Sequence, residues 1–393
     1  MDGVHRGLLA SGAAARLIAE LGVRGATSDP RTLADAFAHS LAYREQLVRL
    51  ARERVSADGA LWAASVVDLR LACDVFRGVF ESTHGYDGLV SMDLDPHLAH
   101  DSAGTVAEAA ELAHAVDRVN ALVKIPATPA GLAAIRECTG RGIGVHATEI
   151  YSAERYSEVV NAYFDGLELA LAAGRELGAI ASVASLPVRS LDQEIDVRLD
   201  ELAGGDHHAL RGKAALATAR LLYQVYEEHL GGERWRYLRA AGARPQRLMW
   251  TDTAPDRPGT HNRYVETLIS WGTVNALPLA SLEDAAQHSR LQGDTLMGQA
   301  EKARLVLDAL GRLGISYEAV VRKLEAESIP RLIDSWLLLR EVVSEQLDLI
   351  AAGAPDRGGP GAPQAGGPVL SAPAPEPPAG PPGGAPPAPA PGV

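Results

Sequence analysis

Lys124 lies inside a short apolar run, where lysine side chains are rare. The run from Ala121 to Ile125 is closed by Pro126 and is typical of a buried strand, so the ammonium would face a medium of low dielectric constant. Burial disfavours the charged form, which predicts a lowered pKa and a free amine able to form a Schiff base with a carbonyl substrate. The competing interpretation is a lysine at a strand end whose charge reaches water or a carboxylate.

Short apolar runs alternate with amphipathic helices along most of the chain. Repeated βα units imply a parallel sheet of the α/β class, and seven visible strands indicate a (β/α)8 barrel with a truncated first strand. A doubly wound open sheet ranks second, because no Gly-x-Gly-x-x-Gly follows an early strand. The predicted strands are Gly22 to Thr27, Leu89 to Leu94, Ala121 to Ala127, Gly142 to Tyr151, Ala181 to Val188, Arg247 to Thr253 and Gly272 to Leu279; the clearest helices are Thr105 to Val116, Ala153 to Leu171, Ala209 to His229 and Ala300 to Leu313.

Composition narrows the class of partner. The chain has 393 residues, of which 47% are hydrophobic, and a formal net charge of −13, which argues against nucleic acid or an anionic membrane surface and favours a small molecule. Cys73 and Cys138 lie in apolar helical contexts typical of core thiols in a reducing compartment, and no signal peptide or membrane-spanning run is visible, so we expect a cytoplasmic protein. No metal cluster and no nucleotide-binding loop is visible, so no cofactor is implied. The oligomeric state stays open, a homodimer included.

The C-terminal stretch differs from the rest of the chain. Residues 1–350 carry the barrel pattern, whereas residues 351–393 are almost entirely Pro, Gly and Ala. Such a segment cannot bury enough apolar surface to offset its ordering entropy, which predicts a disordered tail with polyproline character. The alternative is a docking segment for aromatic-lined grooves, whose partner the sequence does not identify.

Two motifs resemble the core signature of the transaldolase family. They are the stretch from Lys124 to Thr128, Lys-Ile-Pro-Ala-Thr, and the stretch from Gly142 to Ser152. The resemblance implies a parallel barrel in which Lys124 forms the Schiff base with a ketose phosphate donor. Further ordered blocks are similar to the family: Gly22 to Pro30, Val90 to Asp101, Leu210 to Ala215, Ala241 to Arg247, Gly272 to Pro278 and Gly293 to Thr295.

The resemblance also implies the residues that move protons. Asp93 stands for the family's glutamate and would act through a water held by Thr148, while Asp2 or Asp29 would take the proton of the bond-breaking hydroxyl. Asp2 matches the aspartate that ends the family's first strand, and the chain begins there. Either the true start codon lies upstream or the first strand is incomplete, and a misplaced start is the simpler expectation.

Several substrate-binding positions depart from the family. Asp29 and His146 each replace an asparagine, of which the first binds substrate hydroxyls, and Ser185 is retained. His146 introduces a group that titrates near neutrality, as either a new acid/base or a simple hydrogen-bond donor.

The phosphate-binding positions depart most. Ser190 stands where the family has an arginine that grips the sugar phosphate, and Arg189, one position away, would point to the opposite face of a strand. Asp252 replaces a phosphate-contacting serine and Asp256 replaces the second cation, which disfavours a dianion. A shift of register by one would instead place Arg257 at that cation's position.

Three functions follow from this pattern. The first is a Schiff-base enzyme that makes or breaks a C–C bond, or otherwise activates a carbonyl, through Lys124 on a non-phosphorylated substrate in a specialised biosynthetic pathway. The second is an ordinary transaldolase, which converts sedoheptulose 7-phosphate and glyceraldehyde 3-phosphate to erythrose 4-phosphate and fructose 6-phosphate. The third is a catalytically silent binding or scaffold protein. The altered phosphate positions favour the first.

Overall fold

Seven parallel strands form one sheet in which each strand pairs with the next along the chain. The computed structural model describes residues 1–202, 207–254, 262–291 and 293–353. The sheet curls into a (β/α)8-type barrel, as predicted. The strands are β1 (Ala26–Thr27), β2 (Val90–Asp93), β3 (Ala121–Pro126), β4 (Gly144–Thr148), β5 (Ser182–Pro187), β6 (Arg247–Thr251) and β7 (Thr273–Asn275).

A single residue takes the place of a first strand. Asp2 forms parallel bridges to both Thr27 and Pro278, so it lies between β1 and the chain that follows β7. Its N–H donates to the carbonyl of Leu277 at 2.8 Å, and the N–H of Gly3 donates to Thr27 at 2.9 Å. The truncated first strand predicted from the sequence is confirmed in this form.

Helices follow the strands and surround the sheet. Most predicted helices are present with small changes of bounds, but the stretch predicted from Ala209 becomes α-helical only at Ala214. The helices are α1 (Arg6–Ala10), α2 (Ala13–Leu21), α3 (Pro30–His39), α4 (Arg44–Arg52), α5 (Ala57–Ser82), α6 (Ser102–Val116), α7 (Pro129–Gly140), α8 (Ala153–Ala172), α9 (Val188–Asp200), α10 (Ala214–Gly231), α11 (Glu233–Ala240), α12 (Arg263–Thr267), α13 (Leu279–His288), α14 (Ala300–Arg312) and α15 (Tyr317–Ala351).

Side chains alternate between the two faces of each strand, and β3 shows the consequence. Val123 and Ile125 belong to the main core, between sheet and helices, whereas Leu122 packs in a second cluster with Ala181 and Val183. Lys124 shares the face of Leu122. The ammonium therefore points into the barrel, as the apolar run around it predicted.

The last helix lies across the barrel. α15 packs against α3, α4, α5 and α9, and it presents Arg331, Leu332 and Ser335 to the cavity at the carboxyl ends of the strands. Ala351, the first residue of the predicted tail, still belongs to this helix. The tail from residue 354 onward lies outside the described residues.

Two further predictions concern the whole chain. Cys73 and Cys138 are buried and unpaired, which confirms them as core thiols. Among the described helices, none combines the length and the apolar character needed to span a bilayer.

Candidate active site

A cavity of about 310 Å³ opens at the carboxyl ends of the strands, where barrel enzymes place their chemistry. Its walls come from strand ends and from α15. The cavity brings together nine of the ten residues predicted for the site: Asp2, Asp29, Asp93, Lys124, His146, Thr148, Ser185, Ser190 and Asp252. The tenth, Asp256, lies outside the described residues.

Strand register places three of these side chains next to one another. Asp93 pairs with Lys124 across β2 and β3, and Lys124 pairs with His146 across β3 and β4. Lys124 Nζ donates to Asp93 Oδ2 at 3.1 Å and also to the backbone carbonyl of Ser28. The Lys124 and Asp93 side chains are 12% and 16% exposed, so their charges interact with little screening by water.

The pKa of Lys124 is raised, not lowered. Burial acts to lower it, but the charges of Asp93, Asp2 and Asp29 and the hydrogen bond that Lys124 donates to Asp93 together outweigh that effect. The prediction of a lowered pKa is therefore wrong, and the ion pair expected under the competing interpretation is present. Lys124 rests as an ammonium whose proton must leave before the amine can attack a carbonyl.

The turn that follows Lys124 is shaped by its own residues. Thr128 caps α7, because its hydroxyl accepts the N–H of Gly131 at 2.9 Å, and Pro129 begins the helix. A Cβ at Gly131 would lie 1.9 Å from the carbonyl oxygen of Pro126, so only glycine lets the helix approach the strand this closely. The run from Lys124 to Gly131 thus fixes where β3 ends.

Ser28 belongs to the lysine cluster and was missed by sequence reasoning. It is fully buried; its hydroxyl donates to Asp93 Oδ2 at 2.7 Å and accepts the Asp93 N–H at 3.1 Å. These bonds hold the carboxylate against Lys124. Its position directly before Asp29, at a strand end, was the available signal.

His146 is buried and neutral. Burial and the Lys124 charge lower its pKa to about 3, so the prediction of a group titrating near neutrality is wrong. The Thr27 hydroxyl donates to the Ser28 carbonyl, and the Ser91 hydroxyl donates to Thr27, so Ser91 must accept from His146 Nδ1 at 2.9 Å. This chain leaves Nε2 as an acceptor without a partner among the described residues.

Two aspartates at the cavity differ in what they bind. Burial raises the pKa of Asp2 to about 6, although the Lys124 charge opposes the shift, so this carboxyl exchanges its proton near neutral pH. Asp29 caps α3 instead, because its Oδ2 accepts both the N–H and the hydroxyl of Thr32, at 2.8 and 2.7 Å. Of the two candidate bases, Asp29 uses its carboxylate to cap a helix, so Asp2 is the one whose carboxylate is more available to accept a proton.

Glu149 and Arg331 also line the cavity, and neither was predicted. Glu149 follows β4 with φ +59°, and its carboxylate accepts the Tyr151 hydroxyl at 2.6 Å. Burial raises its pKa, against that bond and the charge of Arg331. Glu149 lies within the motif from Gly142 to Ser152, so the sequence offered a signal for it. Arg331 lies on a distant helix, and nothing in its neighbouring residues indicated a place in the site.

Arg189 does not lie on a strand, which corrects the premise of the prediction that it points to the opposite face. The strand ends at Pro187, so Arg189 and Ser190 lie in the first turn of α9. Both contact Asp252: its Oδ1 is 2.5 Å from the Arg189 guanidinium, and its Oδ2 accepts the Ser190 hydroxyl at 2.7 Å. Ser185 is buried on β5 and donates to the carbonyl of Ala147 at 3.4 Å.

A larger cavity, of about 530 Å³, opens at the amino ends of the strands. Leu89, Leu122 and Met249 give it mostly apolar walls, and two of its charged groups, Asp87 and Arg247, already pair with each other at 2.6 Å. The described residues that line it include no lysine, so we place the chemistry with Lys124.

The fold and the lysine cluster define a barrel enzyme of the Schiff-base class. The sequence model of the Transaldolase/Fructose-6-phosphate aldolase family matches residues 1–342, and the chain belongs to this family. It is 46% identical over 348 residues to Transaldolase 1 of Streptomyces avermitilis, which covers 88% of this chain and 92% of the relative. It is 43% identical to the transaldolase of Acidothermus cellulolyticus, over 88% of this chain and 94% of the relative, and 45% identical to that of Thermobifida fusca, over 88% and 95%.

Proposed function

We propose that the chain catalyses the transaldolase reaction. The Lys124 amine attacks the carbonyl of a ketose, and loss of water gives an iminium that draws electrons from the C3–C4 bond as it breaks. An aldose leaves, and the three-carbon dihydroxyacetone unit stays on Lys124 until it adds to the aldehyde of a second aldose. Hydrolysis of the imine then releases the new ketose and restores the amine.

One observation carries this proposal: Lys124 contacts a carboxylate that Ser28 holds in place, inside a closed barrel. Asp93 at 3.1 Å can accept the ammonium proton and return it when the carbinolamine loses water. Asp2, with its pKa raised to about 6, is the group that takes the proton of the cleaved hydroxyl. The relatives are named transaldolases, and the substrates we propose are those of the ordinary transaldolase reaction, sedoheptulose 7-phosphate and glyceraldehyde 3-phosphate.

A second candidate keeps the imine chemistry but uses a non-phosphorylated substrate in a specialised pathway. The contacts of Asp252 favour it, because its carboxylate occupies the Ser190 and Arg189 donors. Arg31 and Arg331 are cations that a phosphate could still meet at the cavity. The scaffold function is set aside, since the chain belongs to an enzyme family and its lysine cluster is intact.

Borohydride trapping tests the proposal. Wild-type protein incubated with fructose 6-phosphate, or with fructose, should gain a reduced adduct on Lys124, located by mass spectrometry of its peptides. Lys124→Ala and Lys124→Arg should give no adduct and no turnover, whereas Lys302→Ala, which alters an exposed lysine on α14, should behave as wild type. An adduct that persists in Lys124→Ala, or a wild-type protein that traps no ketose, would exclude the mechanism.

A further inference from the structure

Three hydrogen-bond donors converge on the carboxylate of Asp252 at the wall of the active-site cavity. The Ser190 N–H donates to Oδ2 at 3.0 Å, the Ser190 hydroxyl donates to the same oxygen at 2.7 Å, and the Arg189 guanidinium lies 2.5 Å from Oδ1. A backbone N–H in the first turn of a helix, a hydroxyl and a guanidinium are the groups with which proteins bind phosphate and carboxylate ligands. We call Arg189 and Ser190 the anion cradle.

The backbone conformation directs Asp252 into this cradle. Asp252 follows the last residue of β6 and has φ +53°, a left-handed conformation that is uncommon among non-glycine residues and that Asp and Asn adopt more readily than most. Its carbonyl accepts the Arg189 N–H at 3.3 Å, so main chain and side chain both engage the start of α9. The side chain is 22% exposed and lines the same cavity as Lys124.

We propose that Asp252 is a resident anion, which fills the anion cradle and lowers the preference of this enzyme for substrates that carry a phosphate at that end of the cavity. The inference rests on the proposed aldol transfer at Lys124, and it deepens that function by naming a residue that sets the substrate class. With Asp252 in place, both Ser190 donors and one terminal nitrogen of the Arg189 guanidinium are engaged, and an entering dianion meets a carboxylate. Binding of a phosphate there requires displacement of the Asp252 side chain.

A structural role alone would have a different signature. If Asp252 served only to cap α9, its replacement would lower stability and reduce turnover of all donors alike. A resident anion changes selectivity instead, because its removal helps only the anionic ligand. Two replacements separate these roles: Asp252→Asn keeps the shape and tolerates the left-handed conformation, and Asp252→Gly removes the side chain and relieves the backbone constraint.

The experiment compares kcat/KM for fructose 6-phosphate and for fructose, with erythrose as common acceptor, in wild type and both variants. The ratio of the two values should rise at least tenfold in Asp252→Gly and rise less in Asp252→Asn, where the amide still occupies the cradle. Inorganic phosphate should also raise the Tm of Asp252→Gly by more than it raises that of wild type. Asp74→Asn, which alters an exposed ion pair with Arg118 on the protein surface, should match wild type.

Two results would overturn the inference. One is an unchanged selectivity ratio with equal loss of activity toward both donors, as expected of a cap. The other is a Tm response to phosphate that is the same in wild type and Asp252→Gly. The Tm measurement does not depend on catalysis, so failure of the aldol mechanism, seen as a wild-type protein that traps no ketose, is distinguishable from failure of the cradle.

Discussion

Replacing Asp93 with Asn should lower the pKa of Lys124. Opposite charges 3.1 Å apart interact by about 5 kcal/mol at an effective dielectric constant near 20. Asp2 and Asp29 remain, and water reaches both side chains to a small extent, so we expect only part of this interaction to be seen as a lower Lys124 pKa. Asp93→Glu, which retains the charge, should keep the raised value.

The assay measures the rate at which acetic anhydride labels Lys124 as a function of pH, read by mass spectrometry of the peptide. Acylation needs only the free amine, so it separates the pKa from the later loss of water in which Asp93 is also proposed to act. Asp74→Asn serves as the control for loss of a carboxylate elsewhere. An unchanged or higher pKa in Asp93→Asn would refute the assignment of Asp93 as the group that holds the proton on Lys124.

Two further outcomes test the proton base and the mouth of the cavity. Asp2 must be ionised to accept a proton, and burial raises its pKa to about 6, so wild-type kcat should fall as the pH drops below about 6. Asp2→Asn should have a low kcat that does not fall in this way, and a non-phosphorylated donor is used because a phosphate itself titrates near pH 6. If Asp2→Asn still shows the fall, the fall belongs to another group. Arg331→Ala should raise the KM for fructose 6-phosphate severalfold and leave the KM for fructose unchanged. Arg322→Ala, on the same helix, should change neither KM. If the KM for fructose 6-phosphate is the same in Arg331→Ala as in wild type, Arg331 does not bind the phosphate.

The sequence predicted the parts of the site that local pattern determines. Lys124 and Asp93 lie on neighbouring strands at matching positions, because an apolar strand alternates its faces and parallel strands end at the same edge of the barrel. Arg189 was misplaced because its direction depends on one fact, that β5 ends at Pro187 and the chain turns into a helix there. Hydrophobic periodicity does not locate the end of a strand to within one residue.

Other features depend on distant segments and had no local signal. Arg331 lines the cavity from α15, which packs against α3, α4, α5 and α9, all of them distant from it in sequence. The pKa of Lys124 was predicted with the wrong sign because burial is only one of its causes, and the carboxylates that other strand ends bring to Lys124 outweigh it. An apolar run predicts that a lysine is buried, but only the fold shows which charges are buried with it.

The raised pKa of Lys124 constrains how the imine can form. Because the resting state is an ion pair, transfer of the Lys124 proton to Asp93 yields a neutral amine and a neutral acid without changing the net charge of the buried cluster. Departure of the carbinolamine hydroxyl as water then uses that same proton, which returns Asp93 to its ionised form as the iminium takes over the positive charge of the ammonium. The Ser28 hydroxyl can donate to an oxygen of Asp93 whether that side chain is ionised or protonated, so it keeps Asp93 in position through the cycle. A carboxylate placed this way makes lowering of the lysine pKa unnecessary, since the base that removes the proton is already in contact with it.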